Sequence, residues 1–185
     1  MIKHVKRLAS ALLPSVIFFA GTMLALTSCT AQSPAATASE TINGKVVSIK
    51  YAAPSVKGRD IFGQGGLLSK ERNYPIWRAG ANTSTTLHTD GDLEIKGVTV
   101  PKGDYSVYVS LEDPANWQLI LNKQTGQWGL SYNKDNDLAR IPMDMGQPAS
   151  MVETLKYSIT PQGDNKAKLT LEWENKSASV PIVVK

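Results

Sequence analysis

Five residues in one irregular segment combine the side chains that recognise polar or anionic ligands. The segment, residues 53–82, is rich in glycine and carries two guanidinium groups, an ammonium group, an indole and an amide: Lys57, Arg59, Trp77, Arg78 and Asn82. Arginine offers paired donors to carboxylate or phosphate, and tryptophan offers a flat face to a sugar or a cation. Long irregular loops in compact domains are often binding loops. The pattern therefore predicts a ligand-binding loop, with Tyr51 nearby.

The same residues also allow a purely structural interpretation. Arg78 could form a buried ion pair or bond loop carbonyls, which would pin the segment to the domain, and Trp77 could belong to the core. The exposure of the two arginines separates the two interpretations. An open pocket lined by Arg59, Arg78 and Asn82 favours binding, whereas guanidinium groups buried against carboxylates favour the structural role.

Neither a catalytic residue nor a metal site is predicted from the rest of the chain. Zinc sites draw mainly on His and Cys, and outside the N-terminal leader the sequence has only His88 and Cys29. His88 with Asp90 and Asp92 reads as a strand residue beside a hairpin turn. A glycoside hydrolase would need two carboxylates about 5–10 Å apart, and the candidates are Asp104, Asp113, Glu172 and Glu174. No cofactor is expected.

The N-terminus has the pattern of a bacterial lipoprotein signal. Three basic residues lead an apolar stretch, residues 8–26, which ends in Leu26-Thr27-Ser28-Cys29. Small residues before a single cysteine predict cleavage after residue 28 and acylation of Cys29. An uncleaved transmembrane anchor is the alternative, because nineteen residues could just span a bilayer. The residue after the cysteine, Thr30, lacks the aspartate that favours inner-membrane retention. The expected location is the periplasmic side of the outer membrane, with the inner membrane as the other possibility.

Loss of the leader changes the charge of the protein. The full chain has 20 basic and 16 acidic residues, and removing the three basic residues of the leader leaves 17 against 16, a net charge of +1. Such a balance gives no electrostatic support to nucleic-acid binding. The expected partners are a membrane, through the acyl chains on Cys29, and a small polar ligand or another envelope protein.

Residues 29–41 are small and polar and predict a lipidated N-terminus followed by a flexible tether. The remaining part, residues 42–185, has the size of one domain. Apolar and polar residues alternate there with a period of two, as in 47–51, 105–111 and 169–173, and turn sequences such as Asn43-Gly44 separate the runs. We expect an all-β domain: an antiparallel β-sandwich of roughly eight to ten strands, for which a jelly roll is one arrangement, with one long irregular loop.

Several motifs resemble the bacterial domain of unknown function 2911 family. They are Tyr51, Pro54–Arg59, Ile61–Gly63, Trp77–Asn82, Thr85-Thr86, Pro101–Ser106, Trp117, Asn122–Gly129 and Leu171–Asn175. The resemblance covers essentially the whole domain and implies an exported, mostly β protein without implying an activity. Thr83 departs from the family pattern, which often has an acidic residue there, and so does the segment 64–74.

The sequence thus predicts a lipid-anchored envelope protein whose β-sandwich binds a polar or anionic ligand or an envelope partner. Two alternatives remain open: a hydrolase with paired carboxylates, and a structural or assembly lipoprotein that would lack a concave site and expose an apolar patch instead.

Overall fold

The structure, a computed structural model, describes residues 32–185. The predicted signal peptide and Cys29 lie outside these residues. The described part forms two antiparallel sheets, which confirms the all-β sandwich. No α-helix occurs in residues 32–185, and hence no helix long enough to span a membrane is present there.

Thirteen strands build the two sheets. They are β1 (Ala35–Ile42), β2 (Lys45–Ala52), β3 (Ile76–Trp77), β4 (Thr85–Thr89), β5 (Leu93–Ile95), β6 (Val98–Val100), β7 (Gly103–Ser110), β8 (Gln118–Asn122), β9 (Asp137–Pro142), β10 (Asp144–Gly146), β11 (Val152–Pro161), β12 (Lys166–Glu174) and β13 (Lys176–Val184). Two 3-10 turns, Leu68–Lys70 and Lys134–Asn136, complete the regular structure of residues 32–185. The count exceeds the expected eight to ten because β3, β5, β6 and β10 have only two or three residues.

The first sheet has the order β1-β2-β4-β7-β8-β9, with β3 also paired to β7. The second has the order β11-β12-β13-β5-β6, with β10 also paired to β13. The alternating apolar residues point between the sheets, where Ile49, Leu87, Val107, Leu121 and Leu171 are at most 1% exposed. Their burial is the main stabilising term of the fold, because each large apolar side chain contributes roughly 1.5–3 kcal/mol.

The structure corrects the predicted tether. Residues 35–42 form β1, which pairs with β2 along its whole length, from Ala35 opposite Ala52 to Ile42 opposite Lys45. The turn between them, Asn43-Gly44, has positive φ at both residues, as a tight hairpin requires. The domain therefore includes β1 and begins before residue 42. The sequence pattern did not reveal this strand because its side chains are small. Ala38 packs against the core, but β1 is held mainly by backbone pairing.

Candidate functional site

The long segment between β2 and β4 is tied to both sheets. Near its start, the backbone N–H of Val56 donates to the Glu153 carbonyl at 2.8 Å, and near its end the N–H of Leu111 donates to the Pro75 carbonyl at 2.9 Å. Between these points Ile61 and Leu68 are buried. The segment thus forms a fixed wall of the domain rather than a free flap.

Trp77 lies in the core, where its side chain is 1% exposed. Its ring stacks on Trp173 with centroids 5.6 Å apart and meets Phe62 edge-on at 6.0 Å. The indole N–H donates to the Gly80 carbonyl at 3.3 Å. Because the residue is almost fully buried and its indole N–H already has a protein acceptor, Trp77 offers no surface to a ligand.

Arg78 and Glu71 form a largely buried ion pair. Nη2 of Arg78 lies 2.8 Å from Oε1 of Glu71, and the two side chains are 14% and 18% exposed. The stem of Arg78 packs closely on Gly129: a Cβ placed on that glycine would lie 2.4 Å from Cδ of Arg78. The guanidinium therefore holds the segment together, as the structural interpretation of the sequence proposed.

Lys57 and Arg59 lie in an exposed turn near β11, apart from Asn82. The Arg59 guanidinium donates to the carbonyls of Val56 and Ser55 at 2.9 and 2.6 Å. The backbone N–H of Lys57 donates to Glu153 Oε1 at 2.9 Å. Both cations thus lie on a turn that is hydrogen-bonded to β11, and neither lines the cavity that Asn82 lines.

Asn82 lines an open trough of about 520 Å³ on the outer face of the first sheet. Its floor follows a row of residues paired across three strands: Thr37 on β1 lies opposite Lys50 on β2, which lies opposite Thr86 on β4. Their neighbours Ile49 and Leu87 point into the core, so this row faces outwards. The side chain of Asn82 donates to the Ser33 carbonyl at 3.3 Å and helps to close one end.

Trp128 forms the wall of the trough. It belongs to the connection between β8 and β9, residues 123–136, and is 50% exposed. Backbone bonds fix this wall: Trp128 bridges to Thr83, and the Gly129 N–H donates to the Asn82 carbonyl at 3.1 Å. The half-exposed indole of Trp128 therefore offers a surface to a ligand, unlike the buried ring of Trp77.

The connection 123–136 covers the other half of the same sheet face through partly buried polar contacts. Nε2 of Gln127 lies 3.1 Å from both Ser106 Oγ and Tyr108 OH. Tyr132 OH donates to Asp137 Oδ2 at 2.6 Å. Burial, reinforced by Asp137, raises the pKa of Tyr132. Since the tyrosine stays neutral, it remains a donor to the carboxylate and keeps the connection, and with it Trp128, in place.

Sequence reasoning missed Lys50, Thr86 and Trp128 as site residues. The two strand residues could have been found, because alternation places them on the face opposite Ile49 and Leu87. The exposure of Trp128 could not have been found, because it depends on how far the connection 123–136 extends over the sheet. Of the five predicted ligand-binding residues, the structure brings only Asn82 to the trough, together with Tyr51, which the sequence analysis placed nearby.

His88 lies between two carboxylates on the outer face of the first sheet. Nδ1 is 2.9 Å from Asp104 Oδ1, its cross-strand partner, and Nε2 is 3.1 Å from Asp90 Oδ1. The hydrogen bond to Asp104, helped by the one to Asp90, raises the pKa of His88. Asp92 instead accepts from the Lys102 N–H at 2.8 Å. Within residues 32–185 no group of His, Cys, Asp and Glu side chains has metal-binding geometry.

The carboxylates considered for hydrolysis lie in different places. Asp104 pairs with His88, and Asp113 accepts from the Ala115 N–H and the Asn116 side chain in its own turn. Those bonds lower the pKa of Asp113. Glu174 lines a separate cavity, and the described residues that line the trough include no carboxylate. None of the four carboxylates considered for hydrolysis therefore lines the trough.

Comparison with known proteins adds a family but no relative of known activity. Residues 33–182 match the model of a family described as "Protein of unknown function (DUF2911)". No curated protein and no solved structure matches the chain.

Proposed function

The chain belongs to the DUF2911 family, and we propose that this member is a lipid-anchored envelope protein that binds a saccharide in the trough. The observation that carries the proposal is the half-exposed ring of Trp128 beside a floor of outward-facing polar side chains. The ligand assignment rests on the chemistry of that lining.

A sugar ring has one face rich in C–H groups and a rim of hydroxyls, and the trough matches both. The indole of Trp128 offers a rigid apolar surface for the C–H face. The hydroxyls of Thr37 and Thr86 can both donate and accept hydrogen bonds, as sugar hydroxyls require. A few polar groups beside an aromatic surface are typical of sites that fix a ligand's orientation.

Lys50 favours a saccharide that carries an acidic group. Its side chain is exposed on the floor of the trough, and it forms no ion pair with a carboxylate of residues 32–185. An ammonium group in an open site attracts an anion without first having to leave a protein partner. A uronic acid or another acidic sugar would satisfy it.

Lipidation of Cys29 would keep the trough close to a membrane surface. Gln32 and Ser33 line the trough, and only two residues lie between Cys29 and Gln32, so that three residue steps join them. Because an extended chain spans at most about 3.3–3.6 Å per residue, the acylated cysteine would lie within ~11 Å of that end. The proposed ligand is therefore a saccharide present at the surface of the envelope membrane.

Replacing Trp128 by alanine should weaken saccharide binding at least tenfold, about 1.4 kcal/mol, because the stacking surface is lost. The experiment screens the purified protein against neutral and uronic-acid oligosaccharides and measures the affinity of positive compounds by calorimetry. Lys50→Gln should weaken binding of the acidic compounds and leave the neutral ones unchanged. Met151→Ala removes an equally exposed apolar side chain elsewhere and serves as the control. The proposal fails if no oligosaccharide binds, or if Trp128→Ala binds as tightly as the wild type.

The anchor has a separate test. Metabolic labelling with a fatty acid should mark the wild-type protein, and Cys29→Ser should abolish the label and release the protein from the membrane fraction, since stable anchoring needs the acyl chains. An unlabelled wild type, or an unchanged distribution of the variant, would exclude lipid anchoring and leave the trough proposal standing.

A further inference from the structure

A second cavity, of about 250 Å³, lies at another part of the long segment and shares no lining residue with the trough. Three parts of the chain enclose it: the long segment, the connection between β7 and β8, and the tip of the β12–β13 hairpin. Its size suits a molecule of about a dozen heavy atoms rather than an oligosaccharide, because sites for drug-sized ligands run from roughly 300 to 1,000 Å³.

Apolar and aromatic side chains form most of this second cavity. The ring of Phe62 lies 4.9 Å from that of Trp117, and Trp117 is 2% exposed. Leu68 and Leu111 are buried beside them. Tyr74, 44% exposed, lines the cavity and also meets solvent. Since the rings hold one another in place, the cavity is preformed for a flat or branched apolar group.

The hairpin tip adds one negative and one positive group. Glu174 has φ = 54°, a left-handed conformation that is costly for a residue other than glycine. Its carboxylate Oε1 accepts from the Ile61 N–H at 2.9 Å, which holds the side chain towards the long segment. Lys176 lines the same cavity, and its ammonium makes no ion pair with a carboxylate in the described part of the chain.

We propose that this cavity binds a free α-amino acid with an aromatic or large aliphatic side chain. The side chain would fill the apolar interior, the ammonium would approach Glu174 and the neighbouring rings, and the carboxylate would pair with Lys176. A ligand with a single charge would leave Glu174 or Lys176 unmatched, and an uncharged ligand would leave both. An amino-acid zwitterion with an apolar side chain matches all three features of the cavity: the apolar interior, Glu174 and Lys176. This proposal is independent of saccharide binding.

The test compares L-phenylalanine with two compounds that each lack one charged group. Calorimetry on the purified protein should show binding of L-phenylalanine, with 2-phenylethylamine and 3-phenylpropanoate each at least tenfold weaker. L-leucine should also bind. Failure of L-phenylalanine to bind at millimolar concentration, or equal binding of the three aromatic compounds, would overturn the proposal.

Two charge variants then assign the partners. Lys176→Gln should weaken L-phenylalanine and 3-phenylpropanoate at least tenfold and leave 2-phenylethylamine unchanged. Glu174→Gln keeps an oxygen acceptor for the Ile61 N–H, and it should weaken L-phenylalanine and 2-phenylethylamine instead. Lys168→Gln and Glu172→Gln, on β12, are the matched controls. Wild-type affinity in both charge variants would refute the site. Circular dichroism checks folding. If Glu174→Gln is unstable, Lys176→Gln is the deciding variant, because Lys176 has no ion pair within residues 32–185 to lose.

Discussion

Replacing Arg78 by alanine is expected to lower the free energy of unfolding by about 3 kcal/mol, the lower end of the range for breaking a buried ion pair. The substitution leaves the Glu71 carboxylate, 18% exposed, without its cation, and it also removes the stem that packs on Gly129. Urea unfolding followed by circular dichroism measures the loss. Because Arg78 lies outside the trough lining, the folded fraction should still bind the saccharide.

Two further variants identify the cause of that loss. The exposed neighbour Arg72→Ala should change stability by less than about 0.5 kcal/mol. The double variant Glu71→Leu/Arg78→Met should be more stable than Arg78→Met alone, because it leaves no unpaired charge. If Arg78→Ala were as stable as Arg72→Ala but lost ligand binding, Arg78 would be a ligand-binding residue and the structural assignment would be wrong.

Replacing Trp77 by alanine should cost about 3–5 kcal/mol, since it removes a fully buried ring and leaves a cavity. The ring contacts Trp173 and Phe62 between the two sheets, so its loss should also loosen the attachment of the long segment. Equilibrium unfolding in urea measures the change, with Trp77→Phe expected to recover part of the loss because it refills part of the volume.

The stability of Trp128→Ala provides the comparison for the stability loss predicted for Trp77→Ala. Trp128 is 50% exposed, and its removal should cost about 1 kcal/mol or less. The two tryptophans should therefore behave in opposite ways: Trp77→Ala should impair stability, and Trp128→Ala should impair saccharide binding. Equal stability of both variants would contradict the assignment of Trp77 to the core.

The local pattern of the chain was enough to predict the class of fold and most of the core. Alternation in stretches such as 105–111 identified strands whose apolar residues do face the other sheet, because a period of two places every second side chain on one face. The turn Asn43-Gly44 was likewise predictable, since its backbone conformation depends on the two residues themselves. The strand β1 was missed because alanine, serine and threonine give a weak alternation signal.

The candidate site depended on the tertiary structure. Composition drew attention to the segment 53–82. Whether Trp77 meets a ligand or Trp173 depends on a contact between distant parts of the chain, and whether Arg78 meets an anion or Glu71 depends on how the segment itself folds. The trough itself joins Lys50, Thr86 and Trp128 through cross-strand pairing and through the position of the connection 123–136. The sequence alone thus determined which side chains alternate and where the chain turns, because those are local properties. Only the packed fold decided which polar and aromatic groups remain exposed together, because exposure is set by what covers each residue.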